Sequence, residues 1–177
     1  MPLPPPVTRG ATFSTCGTWR YRLWRRWSAA PPVCLIGLNP STADGHQDDP
    51  TIRRCVRFAQ RWGHGGLEMV NLYAFCATDP SALWAEPEAR RRGPGWAPAL
   101  WAAVRRSDRV VACWGGLNKT TAAQRRSGAA RAAVVVSRLR DRGVALWHMG
   151  MTASGQPRHP LYLPARRDPV AWPAPVA

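Results

Sequence analysis

The segment LIGLNPSTADGHQDDPT, residues 35–51, decides the reading of the chain. It begins inside an apolar run, PPVCLIGL at 31–38, of the length and character of a strand buried on both faces. It then breaks into glycine, asparagine, proline and serine. It ends on Asp49-Pro50, an N-cap residue followed by proline at the first helical position. The helix it announces is TIRRCVRFAQRW, with Ile52, Cys55, Val56 and Ala59 on one face at helical spacing and Gly63 as its stop.

The same order recurs along the chain. LEMVNLYAF at 67–75 predicts a second strand, RVVACWGG at 109–116 a third and VALWHMG at 144–150 a fourth. Helices are expected at 96–107 and 120–142, the latter stopped by Gly143, with a broken helical loop from Ala77 to Gly95. Strands alternating with helices predict a three-layer α/β/α domain around a four-stranded parallel sheet. TFSTCGTWRYRLWRRW, residues 12–27, reads as a hairpin or edge strand. Residues 1–11 are expected to be disordered, 12–168 to form the single domain, and 169–177 a proline-rich tail.

The chain has 177 residues and a formal net charge of +15, from 25 basic and 10 acidic residues. Such an excess suits a polyanionic partner, and arginine, which supplies every basic residue but Lys119, makes bidentate phosphate contacts. Arginine abundance beside much alanine, proline and glycine is also the mark of a GC-rich coding sequence. The five cysteines, at 16, 34, 55, 76 and 113, form no CxxC, so neither a metal-sulfur site nor a disulfide framework is expected. No run approaches the ~18 apolar residues of a membrane span, and the N-terminus has no signal-peptide pattern, so a cytoplasmic monomer is expected.

In open parallel sheets, ligands bind beyond the carboxyl ends of the strands. Four loops meet there: 38–50, 71–79, 114–119 and 150–163. They offer Gly37, Leu38, Asn39, Pro40 and Ser41 after strand one, then Asn71, Tyr73 and Phe75 around the end of strand two. Trp114 and two glycines follow strand three, and Arg158, His159, Pro160, Leu161 and Tyr162 follow strand four. Amides pair with the edge of a heterocycle, aromatic rings stack on its face, and histidine or arginine receives a developing anion. No phosphate loop of Walker type and no GxGxxG is present. Against this stand plainer readings. Asn39-Pro40 suits a simple turn, Asp49 an N-cap, and Tyr73 and Phe75 packing. His64 and His148 suit structural positions. A metal site on Asp44, His46 and Asp48 has too few ligands to be expected.

GLNPSTADGHQDDPTIRRC, GLEMVNLYAFCATDP, CWG and GQPRHPLYLP resemble the hallmarks of a small bacterial domain-of-unknown-function family, across roughly residues 12–168. More distantly, the same four segments in the same order resemble the uracil-DNA glycosylase superfamily. There a GxNPG or GQDPYH motif follows strand one, an asparagine ends strand two, and an HPS motif follows strand four. That resemblance implies that Asn39 orients the attacking water, Asn71 reads the Watson–Crick edge of the base, and His159 stabilises the departing base. It implies a wedge at Leu161 or Tyr162, and nucleic-acid contacts from Lys119, Arg158 and Pro160. Ser41 falls where uracil-strict members keep a tyrosine, which implies tolerance of larger bases. The serine of HPS is Leu161 here, and the stacking aromatic is open among Phe58, Tyr73 and Phe75. Asparagine holds a water but takes no proton, so Asp44, Asp48 or Asp49 would have to supply a base.

The function expected is thus a monofunctional DNA N-glycosylase that removes uracil or another deaminated or modified base without a cofactor or metal. Its DNA would be single- or double-stranded, with the target base flipped into the pocket. The alternatives are a non-catalytic binder of modified bases or nucleic acid, and a hydrolase of free nucleosides or nucleotides.

Overall fold

The computed structural model describes residues 8–117 and 120–173. Their centre is one seven-stranded sheet, in the order β1-β2-β4-β3-β5-β6-β7. Four strands, β3 (Pro32–Gly37), β4 (Gly66–Asn71), β5 (Arg109–Ala112) and β6 (Leu146–His148), pair in parallel as expected. The sheet, however, is larger than four strands and mixed. The hairpin of β1 (Thr8–Phe13) and β2 (Arg20–Arg26) adds two antiparallel strands at one edge, through β2 on β4. At the other edge β7 (Val170–Trp172) runs antiparallel to β6.

These additions correct two boundaries. Residues 8–11, expected to be disordered, are paired in β1, and 170–172, expected to be tail, form β7. Residues 1–7 and 174–177 lie outside the described residues. The hairpin, through β2, and β7 pair backbone groups that β4 and β6 would otherwise present at open edges.

Every residue of β3 is buried. Val33 and Leu35 face one side, with α1 (Pro50–Arg61) supplying Ile52, Cys55 and Phe58. Cys34 and Ile36 face the other side, covered by Leu100 and Val104 of α4 (Trp96–Arg106) and Val135 and Leu139 of α5 (Ala122–Arg140). Burial on both faces is why this strand reads as a continuous apolar run. Two short helices, α2 (Pro80–Ala85) and α3 (Glu88–Arg92), lie before α4. Asp49 caps α1, its Oδ1 accepting from the Ile52 N–H at 2.8 Å. Thr121 and Gln124 form a capping box on α5.

Cys34, Cys55 and Cys113 are buried, and all five cysteines are free thiols. His64 is structural, with Nδ1 3.0 Å from Asp108, and His148 packs edge-on against Trp172 of the adjacent β7. Among the described residues, no helix is long and apolar enough to cross a membrane.

Candidate functional site

The carboxyl ends of β3, β4 and β5 close around a small, deep cavity of about 190 Å³. Its walls include Gly37, Asn39, Ser41, Asn71, Trp114 and His159, so three chain-distant motifs meet there. The volume is below the ~300–1,000 Å³ of sites for drug-sized ligands, and suits one small ring system. A second cavity of about 770 Å³ adjoins it, lined by Gly116, Arg158 and Tyr162 among others. Leu38, Trp114 and His159 line both.

Asn71 is the last residue of β4, pairs in register with Gly37 of β3, and is only 6% exposed. Its backbone carbonyl accepts from Trp96 Nε1 at 2.7 Å, while its side-chain amide has no protein partner among the described residues. The amide lies across Gly37: a Cβ there would stand 2.6 Å from Asn71 Oδ1. Glycine at 37 is thus what lets the amide reach the pocket.

Asn39 is held differently. Its Nδ2 donates to the carbonyls of Pro40 at 2.9 Å and Ala77 at 2.8 Å, which ties the first loop to the second. Both donors are used, so the oxygen Oδ1 is what remains to accept a hydrogen bond.

His159 caps the 3₁₀ turn Pro160–Tyr162, its Nδ1 accepting from the Leu161 N–H at 3.3 Å. A ring that accepts at Nδ1 carries its proton at Nε2 when neutral. Burial lowers the His159 pKa from its ordinary value, with Asp49 opposing the shift, so the ring is held toward its neutral form. Gly115, at φ +86°, packs on it: a Cβ there would stand 3.3 Å from His159 Cβ. The strand-three glycine therefore makes room for the strand-four histidine. Trp114 is fixed by donating from Nε1 to Gln156 Oε1 at 2.8 Å.

Not every candidate reaches the site. Tyr73 is fully buried on the α5 side, edge-on to Trp84 at 5.8 Å with Arg91 5.1 Å from its ring centroid. Burial raises its hydroxyl pKa to about 12. Phe75 bridges to Trp19, and Pro40 is buried beneath the loop; none of the three lines either cavity. Phe58 stacks on Trp62 in the α1 core. The strand that was expected to carry Tyr73 and Phe75 toward a ligand stops at Asn71, so their alternation has no bearing on the pocket.

Arg158 and Tyr162 line the wider cavity, with Tyr162 81% exposed. Leu161 faces away, toward a cleft shared with Arg53, Arg54 and Arg57 of α1. Lys119 lies outside the described residues. Of the three loop aspartates, Asp49 lines the deep pocket. Asp48 pairs with Arg25, and Asp44 accepts from the backbone of His46 and Gln47. Among the described residues there is no cluster of three potential metal ligands.

One wall residue carries no signal in the sequence. Arg20, at the start of β2, is 3% exposed and lines the deep pocket. It is one of many arginines in a segment of aromatic and basic residues, and no local pattern marks it as the buried one.

Residues 20–161 match the family model described as "Protein of unknown function (DUF1643)". No curated protein matches the chain, and no solved structure does.

Proposed function

The chain belongs to the DUF1643 family, and from the chemistry of its deep pocket we propose that it is a DNA N-glycosylase for uracil or another deaminated or modified base. The observation that carries this reading is the set facing that pocket. An unpaired amide, Asn71, stands with a half-buried imidazole held toward neutrality, His159, and a carboxylate, Asp49. The order of motifs, which resembles that of the uracil-DNA glycosylases, supports it.

In this reading Asn71 pairs with the polar edge of a flipped base. Asn39 Oδ1 and Asp49 hold the water. The water oxygen bonds to the sugar C1′, the C1′–N bond breaks, and the base departs with the bonding electron pair. His159 Nε2–H hydrogen-bonds the developing anion, and Asp49 takes the proton of the water. Stabilising such charge in a dry site is worth a factor of about 10²–10³ per donor. The products are a free base and an abasic sugar. Pro50, Arg53, Arg54, Arg57 and Leu161 line a shallow cleft of about 300 Å³ that suits the phosphate backbone, and exposed Tyr162 suits stacking on a neighbouring base.

A second reading, binding of a modified base without cleavage, draws on one observation: both Asn39 donors are spent on the loop itself. The test uses labelled single- and double-stranded oligonucleotides carrying uracil, hypoxanthine, xanthine or a 5-substituted pyrimidine, treated with alkali after incubation. Strand breaks that vanish in Asn39→Ala and His159→Ala are expected. Tight, salt-sensitive binding without breaks on any substrate would replace the glycosylase by the binder.

A further inference from the structure

Arg20 is a buried cation without a counterion. Among the described residues no carboxylate lies within ion-pair distance of it, although its guanidinium is almost wholly withdrawn from solvent. Its Nη1 donates to the Ala43 carbonyl at 2.5 Å. Its Nε is sealed off without an acceptor. Its Nη2 has no protein partner among the described residues. A buried charge left in this state is costly, and burial indeed pulls its pKa below the ordinary arginine value. Unlike the buried Arg131, which stacks over Trp96 in the core, Arg20 lines the deep pocket, where a ligand can complete it.

The neighbouring donors agree in sign. The N-terminus of the twelve-residue helix α1 also meets the pocket, through Asp49, Thr51 and Ile52. In its first turn Pro50 has no N–H and Asp49 takes that of Ile52, while the Thr51 N–H has no acceptor among the described residues. Among the described residues Asp49 is the one opposing charge on the wall; its bond to Ile52 sets it against the helix N-terminus, and its field, with that of Asp44, offsets part of the burial of Arg20 without forming an ion pair.

We propose that Arg20 is a specificity determinant: the deep pocket selects a heterocycle that is anionic on the edge it presents, such as an ionised cyclic imide, over a neutral ring of the same shape. This rests on the reading of the pocket as a base site. With Nε sealed off and Nη1 held by Ala43, the Nη2 group is left to donate to an anionic ring oxygen or nitrogen, and the cation's charge favours that anion over a neutral acceptor. An amino-bearing ring would set a donor against these donors. The cavity of about 190 Å³ has room for the ring and not for a sugar phosphate as well. The sugar and backbone of a substrate belong in the wider cavity.

The test is equilibrium binding of free rings by calorimetry at pH 7.5, in two pairs that share a ring skeleton. Barbiturate, an anion, is compared with neutral uracil, and urate, an anion, with neutral hypoxanthine. At least one anion is expected to bind tenfold or more tightly than its neutral partner. This ratio is read on the wild-type protein and needs no variant. In Arg20→Gln the ratio should fall to about one. Arg20→Lys, which keeps the charge, should preserve a preference for the anion while weakening it. Neutral rings binding as tightly as anions, a ratio unchanged in Arg20→Gln, or no binding of any of the four at millimolar concentration would each overturn the proposal. Anion preference without base release from DNA would leave Arg20's role standing and remove the glycosylase. Base release with no such preference would do the reverse.

Discussion

Arg20 and Arg25 leave the same strand, β2, and both are buried, yet their guanidinium groups meet opposite conditions. Arg25 is saturated. Its Nε and Nη2 reach Asp48 Oδ1 at 2.8 and 2.6 Å, and its remaining donors go to the carbonyls of Trp24 at 2.8 Å and Asp44 at 2.7 Å. It thereby pins the loop that leads from strand β3 to helix α1 onto the hairpin. Arg20 reaches the same loop through one carbonyl, Ala43, and has two nitrogens over. One arginine holds the rim of the pocket in place, and the other faces into the pocket. The difference separates architecture from chemistry within five residues of sequence.

Truncating each arginine separates the two roles most directly. Arg25→Leu leaves the buried ends of several carbonyls and the Asp48 carboxylate without their donor. A loss of about 3–5 kcal/mol in denaturant unfolding is expected, the usual effect of removing one member of a buried pair. Arg20→Leu removes a charge that lacked compensation, so its cost should be well under that of Arg25→Leu. If Arg20→Leu proves the more damaging of the two, Arg20 is a structural group and the contrast drawn here fails.

Gly37→Ala tests the amide that shares the pocket with Arg20. A Cβ placed 2.6 Å from Asn71 Oδ1 forces the amide out of the pocket while the strand pairing persists. The stability loss should be about 1–3 kcal/mol, as for other overpacked positions. Binding of any ring that uses Asn71 should fall about tenfold or more, the equivalent of one lost hydrogen bond of ~1.4 kcal/mol. Unaltered binding would show that Asn71 does not read the ligand.

Much of this frame is legible in the residues, for reasons that differ by region. The four parallel strands are buried on both faces and so spell themselves as apolar runs, and Asp49-Pro50 marks the start of α1. The β1–β2 hairpin is half visible in the alternating aromatics and arginines of 12–27. β7 is not visible, because three residues with two of them exposed carry no period. At the site, Asn39, Asn71, Trp114 and His159 converge because strand ends in one parallel sheet must. Tyr73 misled because β4 ends two residues before it. Arg20 was hidden because nothing local tells a buried arginine from the exposed ones beside it. Asp49 was read as a cap, which it is, and the cap also lines the pocket.

His159→Gln isolates the imidazole. Glutamine retains a hydrogen-bonding side chain beside Gly115 but does not reproduce the orientation that the Leu161 N–H gives the ring. Base release should slow by about 10²–10³-fold, the range for loss of one preorganised donor. Unfolding free energy should change by less than for Gly37→Ala. A rate within threefold of wild type would remove His159 from the chemistry.

The smallest expected effect concerns acid. Burial depresses the pKa values of His64, His148 and His159 below the ordinary 6.5. In the unfolded chain these rings take up protons as pH falls through about 6.5, while the folded chain holds them neutral until lower pH. The unfolded state then binds more protons, so folding stability must decline as pH drops below about 6.5, before the carboxylates begin to titrate. Denaturant titrations at pH 7.5 and 5.5 should show this decline. Substituting His64→Gln removes one contributor and should flatten it. Stability that is flat or rises over this window would mean that the three rings are solvated in the folded protein. His159 could then not be the neutral donor on which the pocket chemistry depends.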